Sequence, residues 1–312
     1  MATVTVNEET AALDENGNFS AEVLLKVGEN RIVVAATNIH KNTATETFTL
    51  VREAGQVAKT NPKANQPAAG ISGGKYYALV IGNNNYRHLS RLQTAVNDAT
   101  TIEKILKTSY GFKTRLLLNA TRKDILSAIN EFRSKLSERD NLLIYYAGHG
   151  EFDRSAEKAY WLPVDALRDD PTDWIIADDI TSSIKRLSSK HVLIVSDSCY
   201  SGTLTRSAQT SLINKGERDE FLKKMSSRSS RTLIASGGNE PVADGGGSGH
   251  SIFADNFVKA LREIDNPVFT ADELFYQYIR SRVAGRSDQV PEYSEIRNSG
   301  HDGGDFIFVK LR

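Results

Sequence analysis

Apolar positions fall into two rhythms along the chain. Up to about residue 52 they alternate with polar ones. Phe19, Ala21, Val23 and Leu25 interleave with more polar neighbours, as a half-buried strand does. Asn16-Gly17 supplies a turn before that strand and Gly28-Glu29-Asn30 one after it. A second strand is predicted over 31–36, a turn over 38–42 and a third strand over 43–51. Residues 53–74 mix Pro, Gly, Ala, Asn and Lys without periodicity, the composition of a linker. From residue 75 continuous apolar runs take over. KYYALVIG at 75–82, LLIYYA at 142–147 and VLIVS at 192–196 read as buried strands, joined by runs at 112–118, 231–235 and 305–311. Helical spacing fills the gaps at 93–108, through Ala95, Ile102, Ile105 and Leu106, and at 178–188, 251–263 and 270–284. Another helix opens at Thr121, with Asp124 three residues on as in a capping box. Apolar strands alternating with amphipathic helices predict an α/β domain. Its sheet is six-stranded and mostly parallel, with helices on both faces, preceded by a small β segment. The expected domains are 1–52 β segment, 53–74 linker and 75–312 α/β domain.

Composition narrows the options. Hydrophobic residues make up 39% of 312, enough for a core without disulfides. Basic and acidic residues balance at 39 each, so neither nucleic acid nor an anionic membrane is an expected partner. A single cysteine excludes an intrachain disulfide and a cysteine-built metal site. No apolar run is long enough to span a bilayer. The opening MATVTVNEET is polar and acidic, unlike a secretory signal. A cytoplasmic location is the expectation, although the first residues read as starting partway through a β module, which leaves an upstream signal or anchor open.

The lone cysteine has two readings. Alone, Cys199 would be a small buried hydrophobe. Its context argues otherwise. LLIYYA runs into Gly148-His149-Gly150, and VLIVS runs into Asp197-Ser198-Cys199-Tyr200-Ser201-Gly202. Both residues thus follow the carboxyl ends of buried strands, where open α/β sheets gather their reactive groups. A thiol needs a base to react as a thiolate at neutral pH, and an imidazole on a neighbouring strand would serve. His40, His88, His191, His250 and His301 lack such a pattern and read as surface or packing residues.

A-G-H-G followed by D-S-C-Y-S-G resembles the caspase-like cysteine peptidases, in the metacaspase and paracaspase branch with its bacterial homologues. The resemblance spans 75–312 and includes Ile81-Gly82-Asn83, Asn97-Asp98-Ala99 and the A-S-G-G-N-E-P run from Ala235. A histidine about 50 residues before the cysteine fits caspases, but their Q-A-C-[RQG]-G signature is absent, which argues against an animal caspase. The early run FSAEVLLKVGENRIVVAATN resembles the later half of bacterial immunoglobulin-like modules, with too few strands for a closed sandwich.

The resemblance implies the caspase-hemoglobinase fold and a Cys-His dyad working through a thioester acyl-enzyme. Cys199 would attack, His149 would move the proton, and the N–H groups of Gly150 and Cys199 would hold the oxyanion. It puts Asp98 and Asp197 at the floor of the S1 pocket, which would favour Arg over Lys at P1. Ala235-Ser236-Gly237 would pair with substrate backbone, with Glu240 as an added acid. No cofactor is required. A calcium site could draw on Asp165, Asp178 and Asp179, but the expected fourth acid is missing from TLTRSAQ, and Asp178-Asp179 could instead cap a helix. Residues 203–230 resemble an activation loop cut at Arg206, Lys215, Arg218, Arg228 or Arg231, or else form an uncut loop with a helix over 218–225. A monomer is expected rather than a dimer. The leading reading is a cysteine endopeptidase acting on proteins or peptides with basic P1 residues. A catalytically silent caspase-like scaffold and a recognition protein working through its immunoglobulin-like part are the alternatives.

Overall fold

The computed structural model describes residues 3–7, 9–11, 23, 28–38, 41–52, 74–198, 215–237 and 249–311. The chain divides into one unit within residues 1–65 and another within 66–312.

The first unit is an antiparallel sheet of β1 (Thr3–Val6), β2 (Glu9–Ala11), β3 (Gly28–Thr37) and β4 (Thr43–Arg52), in the order β2-β1-β3-β4. Val4, Val6 and Ile32 are buried. The predicted turn at Gly28-Glu29-Asn30 is instead the start of β3, because its register with β4 runs down to Gly28 opposite Arg52. Ladder pairing over ten residues outweighs the local turn preference. The turn after β3 forms as predicted, with Lys41 N–H donating to Asn38 O (3.0 Å) and Asn42 N–H to Asn38 Oδ1 (3.0 Å). The strand expected over 19–25, its Asn16-Gly17 turn and residues 53–73 of the linker lie outside the described residues.

The second unit opens with β5 (Tyr76–Gly82), α1 (Ala95–Tyr110), β6 (Lys113–Leu118), α2 (Arg122–Lys135) and β7 (Asn141–Ala147). A small sheet follows, of β8 (Gly150–Asp153), β9 (Lys158–Trp161) and β10 (Ile175–Ile176), then α3 (Ala177–Lys185) and β11 (His191–Asp197). The later elements are α4 (Lys215–Ser227), β12 (Ser230–Ala235), α5 (Ile252–Glu263), β13 (Val268–Thr270), α6 (Ala271–Leu274), α7 (Arg280–Ala284), β14 (Glu292–Glu295) and β15 (Ile307–Val309). The main sheet has the order β14-β12-β11-β7-β5-β6, parallel except for β14. Alternate residues of each strand enter opposite cores. Val80, Tyr145 and Val195 pack with α1 and α5, while Leu79, Ile144 and Ile194 pack with α2 and α3. Two buried faces explain why these strands read as unbroken apolar runs.

Two expectations are corrected. The run at 305–311 is not the sixth strand of the main sheet. Its β15 pairs with β13 in a separate two-stranded sheet, while Phe306 and Phe308 enter the core on the α1/α5 side. The sixth strand is β14, whose sequence EYSE is polar because it is an antiparallel edge and only partly buried. The helix expected over 270–284 is real in extent, but a π-helical turn at Phe275–Ile279 separates α6 from α7.

Candidate active site

The site is set by strand register. β7 and β11 run parallel as neighbours, with Asp197 opposite Ala147, and Gly148 N–H donates to Asp197 O (3.3 Å). His149 and Cys199 each follow two residues beyond that matched pair. Cys199 itself lies outside the described residues.

His149 is held on three sides. Its backbone N–H donates to the Tyr86 hydroxyl (2.7 Å), and its ring lies 4.6 Å from the Tyr86 ring. Its carbonyl accepts from Tyr146 Oη (2.8 Å) and Leu162 N (3.0 Å). Nε2 sits 2.8 Å from Ser90 O. A carbonyl only accepts, so Nε2 carries the proton and Nδ1 keeps the lone pair. Gly148 is required there, because a Cβ would come 2.7 Å from both the Tyr86 and Tyr146 hydroxyls. Gly150 opens β8, paired with Trp161. Tyr86 and Ser90 escaped the sequence reading, since residues 83–94 form an irregular connection between β5 and α1 with no periodicity to single them out.

Asp98 and Asp197 come together from different elements. Asp98 is fully buried on α1, on the same stripe as Ala95, Ala99 and Ile102. Gly82 lets α1 approach β5 this closely, since a Cβ there would meet Ala95 O at 2.4 Å. Ser251 joins the two acids. Its N–H donates to Asp98 Oδ2 (3.3 Å) and its hydroxyl to Asp197 Oδ2 (2.6 Å), while Ser251 Oγ also caps α5 by accepting from Ala254 N (2.9 Å). Burial pushes both carboxyls up. Asp197 reaches about 7, through desolvation first and the Asp98 charge second. The rise at Asp98 is partly offset by His250, whose Nδ1 lies 2.5 Å from Asp98 Oδ1. The hydroxyls of Tyr145 and Ser236 favour the charged form of Asp197, but Asp197 Oδ1 has no partner of hydrogen-bond geometry among the described residues.

Other predicted residues fare differently. His250 is not a mere surface or packing residue, because the fold brings α1 to it across 152 positions of sequence. His191 and His301 do pack. His191 is buried between Ser230 Oγ and Ser226 O, and His301 Nδ1 accepts from Arg231 N. Ala235 offers no free edge to a substrate strand. It lies in β12 between Ser196 of β11 and Glu292 of β14, so both of its sides are paired. Ser236 N–H is likewise used, donating to Ser196 O (2.9 Å), and Gly237 is the last described residue before the next gap. Glu240 lies outside the described residues.

Among the loop candidates, Arg231 is corrected by burial. It sits in β12 and donates to the carbonyls of Ser189 and Lys190, a position no peptidase reaches in the fold. Arg218 lies on α4 and grips Glu273 with both guanidinium nitrogens, so it is neither extended nor free. Lys215 begins α4, Arg228 follows its end, and Arg206 lies outside the described residues. The aspartates offered for calcium lie at separate places. Asp165 accepts from Arg122 N (3.0 Å) at the start of α2, Asp178 pairs with Lys158 (2.5 Å), and Asp179 lies in the first turn of α3. Among the described residues no three His, Cys, Asp or Glu side chains converge as a metal ion would need.

Comparison with known proteins adds to this geometry. The Caspase domain family matches residues 75–299, and Glucodextranase, domain B matches residues 1–54. Human mucosa-associated lymphoid tissue lymphoma translocation protein 1 is 35% identical over 89 residues, 28% of this chain and 10% of that protein. Metacaspase-1 of Cryptococcus neoformans is 28% identical over 147 residues, covering 42% of this chain and 32% of that one. The chain thus spans a third or less of the length of these relatives. The crystal structure of Caspase-1 from Spodoptera frugiperda aligns with a TM-score of 0.52 at 15% identity, covering 77% of this chain and 96% of that one. That likeness concerns the fold. Among the described residues, no helix is long and apolar enough to cross a membrane.

Proposed function

We propose that this chain, which belongs to the caspase-domain family of peptidases in its metacaspase and paracaspase type, is a cysteine endopeptidase cleaving after basic residues. The observation that carries the reading is the register of β7 and β11, which ends at Ala147 opposite Asp197, two residues short of His149 and of Cys199. The Cys199 thiolate attacks the scissile carbonyl carbon, and the oxyanion is held by the N–H groups of Gly150 and Cys199. His149, protonated at both nitrogens once it has taken the thiol proton, gives one from Nδ1 to the leaving amine. The C–N bond breaks and leaves a thioester. Water, losing a proton to Nδ1, then attacks the thioester carbon, and the thiolate departs from the carboxylic acid product.

The basic P1 preference draws support from the buried pair Asp98 and Asp197, with Asp197 Oδ1 open as an acceptor. Two carboxylates suit a guanidinium, whose donors lie in a fixed fork, better than an ammonium. Hydrolysis of matched fluorogenic peptides with Arg, Lys or Asp at P1, with Cys199→Ala as control, tests the reading. Turnover of Arg and Lys peptides that vanishes in Cys199→Ala is expected. Preference for Asp would overturn the specificity, and no turnover of any peptide would favour the silent scaffold. Self-cleavage, if it occurs, falls at Arg206, Lys215 or Arg228 rather than at the engaged Arg218 or Arg231. Mass spectrometry of wild type beside Cys199→Ala reads this directly, since fragments common to both would exclude self-processing.

A further inference from the structure

The S1 acids are not equivalent. Asp98 has both oxygens engaged, Oδ1 by His250 Nδ1 (2.5 Å) and Oδ2 by Ser251 N–H (3.3 Å). Asp197 has Oδ2 engaged by the Ser251 hydroxyl, while its buried Oδ1 has no partner of hydrogen-bond geometry among the described residues. The placement of His250 is built rather than incidental. Gly249 adopts a φ of +78°, a conformation that favours glycine, and its carbonyl accepts from Asn97 Nδ2 (2.7 Å). Asn97 immediately precedes Asp98 on α1, so one helix turn grips both the backbone before His250 and its ring. Ser251, next in sequence, caps α5. The imidazole therefore arrives at Asp98 from a corner held by Asn97 on one side and by the cap of α5 on the other.

We propose that His250 is a specificity-determining residue of the S1 pocket: by pairing with Asp98 it leaves Asp197 Oδ1 as the acceptor for the P1 cation, and so widens acceptance from arginine to lysine. This rests on the proposed basic P1 specificity. A single open acceptor discriminates weakly between an ammonium and a guanidinium, because it meets only one donor of either. A second open carboxylate would reward the guanidinium's remaining donors and not the ammonium's point charge. His250 acts through Asp98 and is a positioning residue. The groups facing this cluster are Asp98 on α1, Asp197 on β11 and Tyr145 on β7, whose hydroxyl is kept protonated by burial and by both carboxylates.

The test is steady-state kinetics of wild type, His250→Ala, Asp98→Asn and the double variant on matched Arg and Lys peptides. His250→Ala is expected to raise the Arg-to-Lys ratio of kcat/KM about fivefold, through KM, with kcat nearly unchanged. In the Asp98→Asn background the same change should leave the ratio where it was. An unchanged ratio in the single variant, an equal fall in kcat for both peptides, or a rise that persists without Asp98 would overturn the proposal. If His250→Ala does not fold, His250→Asn keeps a donor for Asp98 without the imidazole ring. It should move the ratio in the same direction by less, and no movement would overturn the proposal. Failure of wild type to cleave Arg or Lys peptides would instead sink the basic P1 reading. The pair is then decided by the NMR signals of the His250 ring, which must change position in Asp98→Asn; unmoved signals overturn the pairing itself.

Discussion

At the scale of single residues, the site depends on groups whose environment sets their chemistry. The Tyr86 hydroxyl accepts the N–H of His149, and the Tyr86 ring lies tilted against the imidazole. Tyr86→Phe strips that acceptor from a part-buried donor, a loss of about 1–3 kcal/mol. Because the effect falls on the orientation of His149, kcat should drop roughly tenfold with KM unchanged. A kcat within about twofold of wild type would show that Ser90 O alone fixes the ring. Asp197 makes a second prediction. Its carboxyl, raised to about 7 in the free protein, holds a cation only when ionised. The kcat/KM for Arg peptides should therefore rise with pH through about 7, and that limb should be missing from Asp197→Asn, whose KM should also be much higher. A limb that survives in Asp197→Asn would belong to another group.

At the scale of elements, close approach of helix and strand positions the acids. α1 rests on β5 at Gly82, where a Cβ would meet Ala95 O at 2.4 Å and Ala99 Cβ at 2.6 Å. Gly82→Ala must push α1 outward or distort it, costing about 1–3 kcal/mol of stability. Asp98 rides on that helix, so KM for basic P1 peptides should rise along with the fall in Tm. A stable variant with wild-type KM would mean that α1 yields without moving Asp98. Asp98 was legible only through the resemblance, and the structure puts it on the buried stripe of α1. β14 was not legible. Its four residues carry the polar pattern of an edge, while Ile307–Val309 looked more like a sheet strand because the core buries it elsewhere.

At the scale of the whole molecule, buried ionisable groups tie stability to pH. His191 opens β11 with its ring between Ser230 of β12 and Ser226 of α4, and burial lowers its pKa to about 4 from an ordinary 6.5. The folded protein holds it neutral while the unfolded chain takes up a proton below 6.5. Stability is thus undiminished by His191 above about pH 6.5 and is lost progressively as pH falls toward 4, by up to about 3 kcal/mol. His191→Gln should lose less stability than wild type between about pH 7 and 4.5 in denaturant titrations. Parallel curves for the two proteins would locate acid sensitivity elsewhere.

The sequence by itself determined the α/β alternation, the five parallel strands and the arrival of His149 and Cys199 just past strand ends. Those features are local: periodicity and short motifs encode them within a few residues. Only the tertiary structure decided which strands are neighbours, that β14 closes Ala235 against substrate, and that Ser90 O sets the tautomer of His149. It also decided that His250 takes a carboxylate oxygen of Asp98 across 152 positions. Pairing between distant side chains depends on which elements the buried faces bring together, and no window along the chain contains both partners.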